Sequence, residues 1–189
     1  MRKLIVNSIM VSALLLSAGI SNSCSKIDDI IDITIPVPFA INNNFNADIP
    51  FVITTEFVKS PDIPLNLNLD EEIKARFKDM SVNNLKSAKL SSFTIDYVSS
   101  SNNNAIKLDK VKDAELWIKA PNVGEVRVAA VQNNISDTAL NFTPDPAVEL
   151  ADYLKSNQTS IYLKIKGTET AATQMQVRIN SSFKIQVSL

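Results

Sequence analysis

The chain of 189 residues contains no histidine, one cysteine and three glycines. Without histidine it lacks the side chain that most often serves as a general base or a metal ligand. Its glycines stand far apart, at positions 19, 124 and 167, whereas a phosphate-binding loop needs several glycines close together. These absences exclude the familiar catalytic and cofactor-binding motifs. We therefore expect no catalytic residues, no metal site and no cofactor.

The chain also lacks an excess of either charge. Its 20 acidic and 19 basic residues nearly balance, and they are dispersed along the sequence. A nucleic-acid-binding protein concentrates lysine and arginine on one face or in one segment. We therefore expect no nucleic-acid partner.

The amino-terminal segment differs in composition from the rest of the chain. Basic residues at positions 2 and 3 are followed by an apolar run over residues 4–20, and a short polar stretch then precedes Cys24. A basic start, an apolar stretch of this length and a small or polar end are typical of a secretory signal peptide. We therefore predict a signal peptide over residues 1–23.

Two other interpretations of this segment remain open. One is a transmembrane helix, although the run is short for a membrane span and polar residues interrupt it at positions 7, 8, 12 and 17. The other is an ordinary secretory signal that leaves Cys24 as a free or paired thiol. The chain has no second cysteine for an internal disulfide, and a lone thiol is a liability in an oxidising compartment.

The ending in Cys24 resembles the lipobox of bacterial lipoproteins, in the relaxed form familiar in Bacteroidetes. The resemblance implies that Cys24 carries diacylglycerol and palmitate, becomes the first mature residue and anchors the protein to a membrane. Residues 24–32 then form the lipidated cysteine and an acidic tether. Lys26 with Asp28 and Asp29 resembles the export signal of surface lipoproteins. This likeness implies the outer membrane and favours the cell surface over the periplasmic face.

After residue 32, apolar and polar residues alternate along most of the chain, which is the period of β-strands. Three asparagines at 42–44 interrupt this alternation and predict the turn of a hairpin within residues 33–53. Prolines at 36, 38 and 50 confine these strands to a sheet edge or make them bulge. Between residues 86 and 98 the alternation changes phase, which predicts a β-bulge near Ser91 and Ser92.

Two short helices are predicted in the connections. Leucines at 65, 67 and 69 indicate a short strand, after which Asp70 is typical of a helix N-cap and the helix runs through Asp79. Asp145 and Pro146 predict the second helix start, because an N-cap followed by proline at the first helical position is favoured.

The pattern as a whole predicts an all-β fold. About seven to nine strands at short spacing, with two short helices in connections, are typical of an antiparallel β-sandwich. We predict one such domain over residues 33–189. The chain resembles uncharacterised Bacteroidetes lipoproteins with a β-sandwich domain, through its first hairpin, a strand-turn-strand at 116–126 and a helix at 148–154. This resemblance brings no activity with it.

Trp117 is the candidate ligand contact. Leu116 and Ile118 are assigned to the core by alternation, so Trp117 points outward from a simple sandwich. An exposed indole can stack on a sugar or anchor a protein partner. The alternative is that a helix or loop covers this face and Trp117 packs beneath it.

Two further patterns bear on function. Asp137, Thr138 and Ala139 resemble the short motif at which Bacteroidetes attach O-glycans to exported proteins, which implies glycosylation of Thr138. Two acidic clusters lack the glycine-centred loop and ligand spacing of a calcium site, and we interpret both as solvated. The clusters are Asp28, Asp29 and Asp32, and Asp109, Asp113 and Glu115.

These observations together predict an outer-membrane or cell-surface lipoprotein that acts as a non-catalytic binding or accessory module. Its partner would be a glycan or another protein. A structural envelope lipoprotein without a ligand is one alternative. A hydrolase that uses a pair of Asp or Glu side chains is the other, since the distance between carboxylates cannot be read from a sequence.

Overall fold

The computed structural model describes residues 39–188. The predicted signal peptide, Cys24 and the acidic tether lie outside this range. Within residues 39–188, no helix has the length and apolar character that crossing a membrane requires.

The described chain is mostly antiparallel β-sheet with two short α-helices in connections, which confirms the predicted fold class. The strands are β1 (Phe39–Ile53), β2 (Val58–Lys59), β3 (Ile63–Pro64), β4 (Leu85–Ser100), β5 (Val111–Ala120), β6 (Gly124–Val131), β7 (Ala139–Pro144), β8 (Ser160–Gly167) and β9 (Ala171–Val187). The helices are α1 (Leu69–Arg76) and α2 (Ala151–Leu154), and short 3₁₀ turns lie at Val82–Asn84 and Leu108–Lys110.

The strands follow the order β1-β9-β4-β7-β6-β5-β8-β2, and β3 also pairs with β8. Strand β7 joins the two halves, because its first part pairs with β4 and its last two residues pair with β6. We call β1, β9, β4 and β7 the first sheet, and β6, β5, β8 and the short β2 and β3 the second sheet.

The core lies between the inner faces of the two sheets. A small apolar cavity is lined by Leu90, Phe93 and Phe183 of the first sheet and by Leu116 and Ile118, among others, of the second. Alternate residues of each strand point into this layer, as a two-sheet sandwich requires. Burial of each large apolar side chain stabilises the fold by about 1.5–3 kcal/mol.

Strand β1 corrects the predicted hairpin. Asn42, Asn43 and Asn44 lie inside one continuous strand of 15 residues and pair with residues 182, 181 and 180 of β9. The ladder to β9 satisfies their backbone groups, and this long-range pairing overrides the local turn preference of asparagine. The predicted edge position is confirmed, because β1 ends the strand order and carries Pro50.

The predicted bulge in β4 is confirmed, since the register with β9 shifts between Leu90 and Ser92. The closing strand is longer than the local pattern indicates. Residues 171–187 form a single strand of 17 residues. Its inward-facing positions keep one parity throughout, so β9 needs no bulge to bury them.

Helix α1 begins and ends earlier than predicted. Its N-cap is Asn68, whose φ of 44° is left-handed, and its last residue is Arg76 rather than Asp79. Asp70 lies in the first turn instead, where its carboxylate accepts hydrogen bonds from Val82 N (2.9 Å) and Lys74 Nζ (2.5 Å). The predicted strand at 65–69 is absent, because residues 65–68 carry no strand pairing.

Helix α2 is a single turn that begins at Ala151, five residues after Pro146. Asp145 caps only a turn, through Ala147 N at 2.9 Å. The helix start is set by Glu149, whose carboxylate accepts hydrogen bonds from Leu150 N, Ala151 N and Ala88 N. Burial disfavours its charge, but these bonds outweigh burial and hold the pKa of Glu149 below its ordinary value.

Candidate binding surface around Trp117

Trp117 lies on the outer face of the second sheet. In β5 its neighbours Leu116 and Ile118 are each 1% exposed and belong to the core. Successive side chains of a strand point to opposite faces, so Trp117 points away from the core and is half-buried. It stands opposite Tyr162 of β8 on one side and Arg127 of β6 on the other.

The indole stacks on Tyr162. The two rings are nearly parallel, with an interplanar angle of 10° and centroids 6.0 Å apart. Lys164 Nζ lies 4.0 Å from the centroid of the Trp117 ring, and Lys59 Nζ lies 3.7 Å from that of Tyr162. Each cation-π contact stabilises by about 0.5–1 kcal/mol at an exposed site. A ligand that stacks on the ring face under Lys164 must therefore displace this side chain.

Glu115 fixes the orientation of the indole. Trp117 Nε1 donates a hydrogen bond to Glu115 Oε2 at 2.9 Å, and Arg127 Nη1 donates to the other oxygen, Oε1, at 3.1 Å. One carboxylate thus connects an aromatic side chain to a guanidinium on the neighbouring strand. The ring is held in one orientation without any ligand, which reduces the entropy cost of binding.

Tyr162 is fully buried beneath this layer, although it points away from the core. Its hydroxyl has no hydrogen-bond partner among residues 39–188. Burial of the ring, with the nearby carboxylate of Glu125, raises the pKa of Tyr162 to about 12. The cover is completed by Lys59, whose Nζ lies 3.8 Å from Glu125 Oε2.

Ion pairs surround the two rings. Besides the pairs already described, Lys119 Nζ lies 2.5 Å from Asp62 Oδ2. Such partly exposed pairs contribute about 0–1 kcal/mol each, so they serve chiefly to balance charge. We call this set the Trp117 surface, and its members are Lys59, Asp62, Glu115, Trp117, Lys119, Glu125, Arg127, Tyr162 and Lys164.

Two alternatives were predicted for Trp117, an exposed outer face and a face covered by a helix or loop, and the structure has features of both. The ring lies on the outer face, and residues 58–64 supply Lys59 and Asp62 as a partial cover. Sequence reasoning did not identify Tyr162 as the stacking partner. The available signal was its parity, because Ile161 and Leu163 belong to the core face and Tyr162 lies between them.

Thr138 is exposed at the bend that precedes β7. Its carbonyl accepts a hydrogen bond from Tyr97 N at 2.8 Å, and Asp137 Oδ2 lies 3.0 Å from Lys107 Nζ. The hydroxyl is near Ser136 Oγ, at 3.3 Å. Glycosylation of Thr138 stays a prediction for which the side chain has open space.

The structure describes one of the two acidic clusters. Asp28, Asp29 and Asp32 lie outside the described residues. Of the second cluster, Glu115 binds Trp117 and Arg127, while Asp113 accepts a hydrogen bond from Asn133 N at 2.9 Å. Within residues 39–188, no group of three or more His, Cys, Asp or Glu side chains is placed to hold a metal ion.

An open groove of about 390 Å³ lies at another place in the fold, between residues 65–71 and residues 154–159. Leucines at 65, 67 and 69 line one side, and polar groups of Asn157 and Thr159 line the other. Thr159 Oγ1 is itself bonded to the carbonyls of Tyr153 and Ser156. The groove thus has mixed lining and no concentrated charge.

Comparisons with known proteins give little. No family model and no curated protein match the chain. A chain of turnip yellow mosaic virus is 10% identical, with 82% of this chain and 96% of the viral chain covered, at a TM-score of 0.27. A chain of the empty head of the same virus is 12% identical, with coverages of 82% and 84% and a TM-score of 0.28.

A chain of maize chlorotic mottle virus is 10% identical, with 79% of this chain and 95% of the viral chain covered, at a TM-score of 0.24. At these TM-scores the likeness supports no statement about the fold or the function of this protein.

Tyr162→Phe tests the buried hydroxyl. A tyrosine whose pKa is raised by folding stabilises the folded state fully at pH values below its unfolded pKa of about 10. This contribution to the free energy of unfolding is lost as the pH rises toward 12. We expect wild-type stability to fall by about 2–3 kcal/mol over this window, and Tyr162→Phe to remove this fall. At pH 7 the variant should be as stable as wild type or more so, because the hydroxyl is unpartnered.

The measurement is denaturant unfolding at pH 7 to 11.5, followed by the fluorescence of Trp117, the only tryptophan. Tyr97→Phe is the matched control, since it leaves Tyr162 in place and should keep the alkaline loss. Equal alkaline losses in wild type and Tyr162→Phe would contradict the assignment.

Proposed function

We propose that the protein is a lipid-anchored outer-membrane lipoprotein that faces the cell surface and acts as a non-catalytic binding module. The observation that carries the anchor is the solitary Cys24 directly after an apolar segment with a basic start. A single cysteine in this position has a clear chemical use as a lipid attachment site. It has none as half of an internal disulfide.

The course of the chain supports an anchored module. The described domain begins at Phe39, which pairs with Ile185 at one end of the first sheet, whereas β1 ends at Ile53 opposite Ala171 at the other end. A strand of this length spans about 45–50 Å at 3.3 Å per residue. The loops at the Ile53 end therefore lie far from Phe39, the first described residue.

The loop that carries Thr138 belongs to this far end and is held in one conformation. Asn134 Nδ2 donates to the carbonyls of Leu108, Val111 and Ser136 at 2.9–3.1 Å. Ile135 at its tip is 92% exposed. A glycan on Thr138 would therefore lie at the end of the domain opposite Phe39.

The Trp117 surface supports a binding role. It offers the exposed part of an indole whose orientation is fixed by Glu115, and tryptophan held in this way is typical of interaction hot spots. Three of its cations lie close to carboxylates and Lys164 lies over the Trp117 ring, so the surface carries no large charge of one sign. A glycan, with apolar ring faces and neutral hydroxyls, or a protein surface of mixed charge matches this chemistry.

Cys24→Ala tests the anchor. Removal of the thiol removes the site of lipid attachment, so the variant should move from the membrane fraction to the soluble fraction after cell lysis. Ser23→Ala is the matched control and should remain with the membrane. Membrane association of Cys24→Ala equal to that of wild type would contradict the proposal.

Trp117→Ala tests the binding surface. Wild type and variant are compared on an array of bacterial and host glycans, and by photo-crosslinking in intact cells. Loss of a hot-spot tryptophan should lower the affinity for any glycan or protein that wild type binds by at least about tenfold. The control variant Val123→Ala, in the exposed β5–β6 turn, should bind as wild type does. The proposal fails if wild type retains and crosslinks nothing, or if Trp117→Ala binds equally well.

A further inference from the structure

The two ends of the strand order are treated differently by the fold. At one end, β8 is covered by the short strands β2 and β3, and this cover includes prolines at 61 and 64 and the charged Lys59 and Asp62. At the other end, the one strand of residues 39–188 that pairs with β1 is β9. Apart from that ladder, no residue of β1 makes a backbone hydrogen bond to another part of residues 39–188.

The open edge of β1 lacks the usual protection. Natural edge strands carry lysines, prolines or bulges, or they are very short, because a free edge pairs readily with another strand. β1 has 15 residues, an uninterrupted register, no lysine or arginine, one acidic residue (Asp48) and one proline (Pro50). Eleven residues of β1 precede Pro50, and Asp48 is the one charged residue among them.

Pro50 also indicates which backbone groups are free. In an antiparallel ladder, the N–H and C=O of one residue point to the same side, and successive residues alternate between sides. A proline on an edge strand turns its nitrogen away from the partner. The even-numbered residues of β1 therefore direct their backbone groups to the open edge, and those from Ala40 to Asp48 have both a donor and an acceptor.

We propose that this edge pairs antiparallel with the same strand of a second copy, about a two-fold axis at Asn44. Asn44 then lies opposite Asn44 of the other copy, Asn42 opposite Asn46, and Ala40 opposite Asp48. This register uses every free backbone group of residues 40–48. It leaves Pro50 outside the pairing, whereas a register centred on Asn46 places Pro50 opposite Asn42 and loses hydrogen bonds.

The side chains fit the same register. On the outer face, Asn44 Nδ2 donates to Asn180 Oδ1 at 2.9 Å, and Asn180 Nδ2 donates to Asp96 Oδ2 at 2.8 Å. This amide ladder ends at Asn44, and the second copy continues it with the same residue. Asp48 lies opposite Ala40, so no like charges face each other across the axis.

The inner face gains cover as well. Phe45 and Ala47 point toward the core but are only half-buried, because they stand at the open edge of the first sheet. In the proposed register Phe45 lies opposite Asn43 of the second copy, and Ala47 lies opposite Ile41. The two first sheets become one continuous sheet, whose inner face shields these side chains from water.

The pairing is compatible with two membrane anchors, and this step alone rests on the proposed function. Phe39 lies opposite Ile49 of the second copy, so the two Phe39 residues are about 33 Å apart along the strands. In each copy, the 15 residues from Cys24 to position 38 can together span up to about 50 Å. Both tethers can therefore reach one membrane when the paired strands lie along its plane.

The test uses single cysteines in the full chain carrying Cys24→Ser, so that the introduced thiol is the only one. Asn44→Cys should give a disulfide-linked dimer on mild oxidation, because directly opposite residues lie about 4.5–5.5 Å apart between Cα atoms. Asn42→Cys and Asn46→Cys are matched controls on the same face and edge. Each lies about 14 Å from its own copy and should not crosslink alone, but a mixture of the two should.

Equal crosslinking of the three single variants, or crosslinking at 46 alone, overturns the proposed register.

Sedimentation of the unmodified Cys24→Ser chain should show a dimer, and a monomer up to 0.1 mM overturns the pairing itself. Asn44→Lys should give a monomer, because it opposes two like charges at the axis. Gln174→Lys, exposed on the neighbouring strand β9, should stay dimeric. Because none of these readouts requires the lipid anchor, their failure is distinct from failure of the proposed function.

Discussion

The structure depends on the double ladder of β9. This strand pairs with β1 along residues 39–53 on one side and with β4 on the other. Its inward-facing apolar side chains are at most 3% exposed, and they are Met175, Val177, Ile179, Phe183, Ile185 and Val187. Among residues 39–188, β1 is paired through β9 alone, whereas β4 also pairs with β7, so loss of this ladder would detach β1 and leave one side of β4 unpaired.

The β9 ladder also determines which surfaces are open. With β9 in the interior of the first sheet, β1 is the last strand, and one row of its backbone groups has no partner among residues 39–188. The second sheet is closed at its own end by β2 and β3, and Lys59 of β2 also covers the ring of Tyr162. The open edge and the Trp117 surface therefore lie on different sheets, and each can be occupied while the other is free.

Charge on the Trp117 surface is arranged locally. Glu115 accepts from both Trp117 and Arg127, and Lys59 lies over the Tyr162 ring and near Glu125. Each cation is thus close to an acid or an aromatic face. Such a surface is ordered before binding, and it gains affinity through shape and hydrogen bonds more than through long-range attraction.

Much of the fold could be predicted from the sequence because strand period is a local signal. The alternation in β5 and β8, the phase change at Leu90 and Ser92 and the edge position implied by Pro50 all follow from residues close in sequence. The hairpin at residues 42–44 was wrong because a distant strand, β9, supplies hydrogen bonds that no local pattern reveals.

Other features depend on contacts between distant segments and could not be predicted. The start of α2 is set by Glu149, which also binds Ala88 N in β4. The partner of Trp117 is Tyr162 because of the register between β5 and β8, which is a long-range property. The face of the sheet on which Trp117 lies could be predicted from the alternation along β5. The residues beside it could be identified only once the strand order was known.

Native-state hydrogen exchange tests the central role of β9 most directly. If the β9 ladder holds the fold together, amides in residues 177–185 should exchange only by global unfolding, with the highest free energy of opening in the chain. Those of α1 and of the short β2 and β3 should exchange by local opening at lower free energies. Opening of β9 at a lower free energy than β5 and β8 would contradict this account.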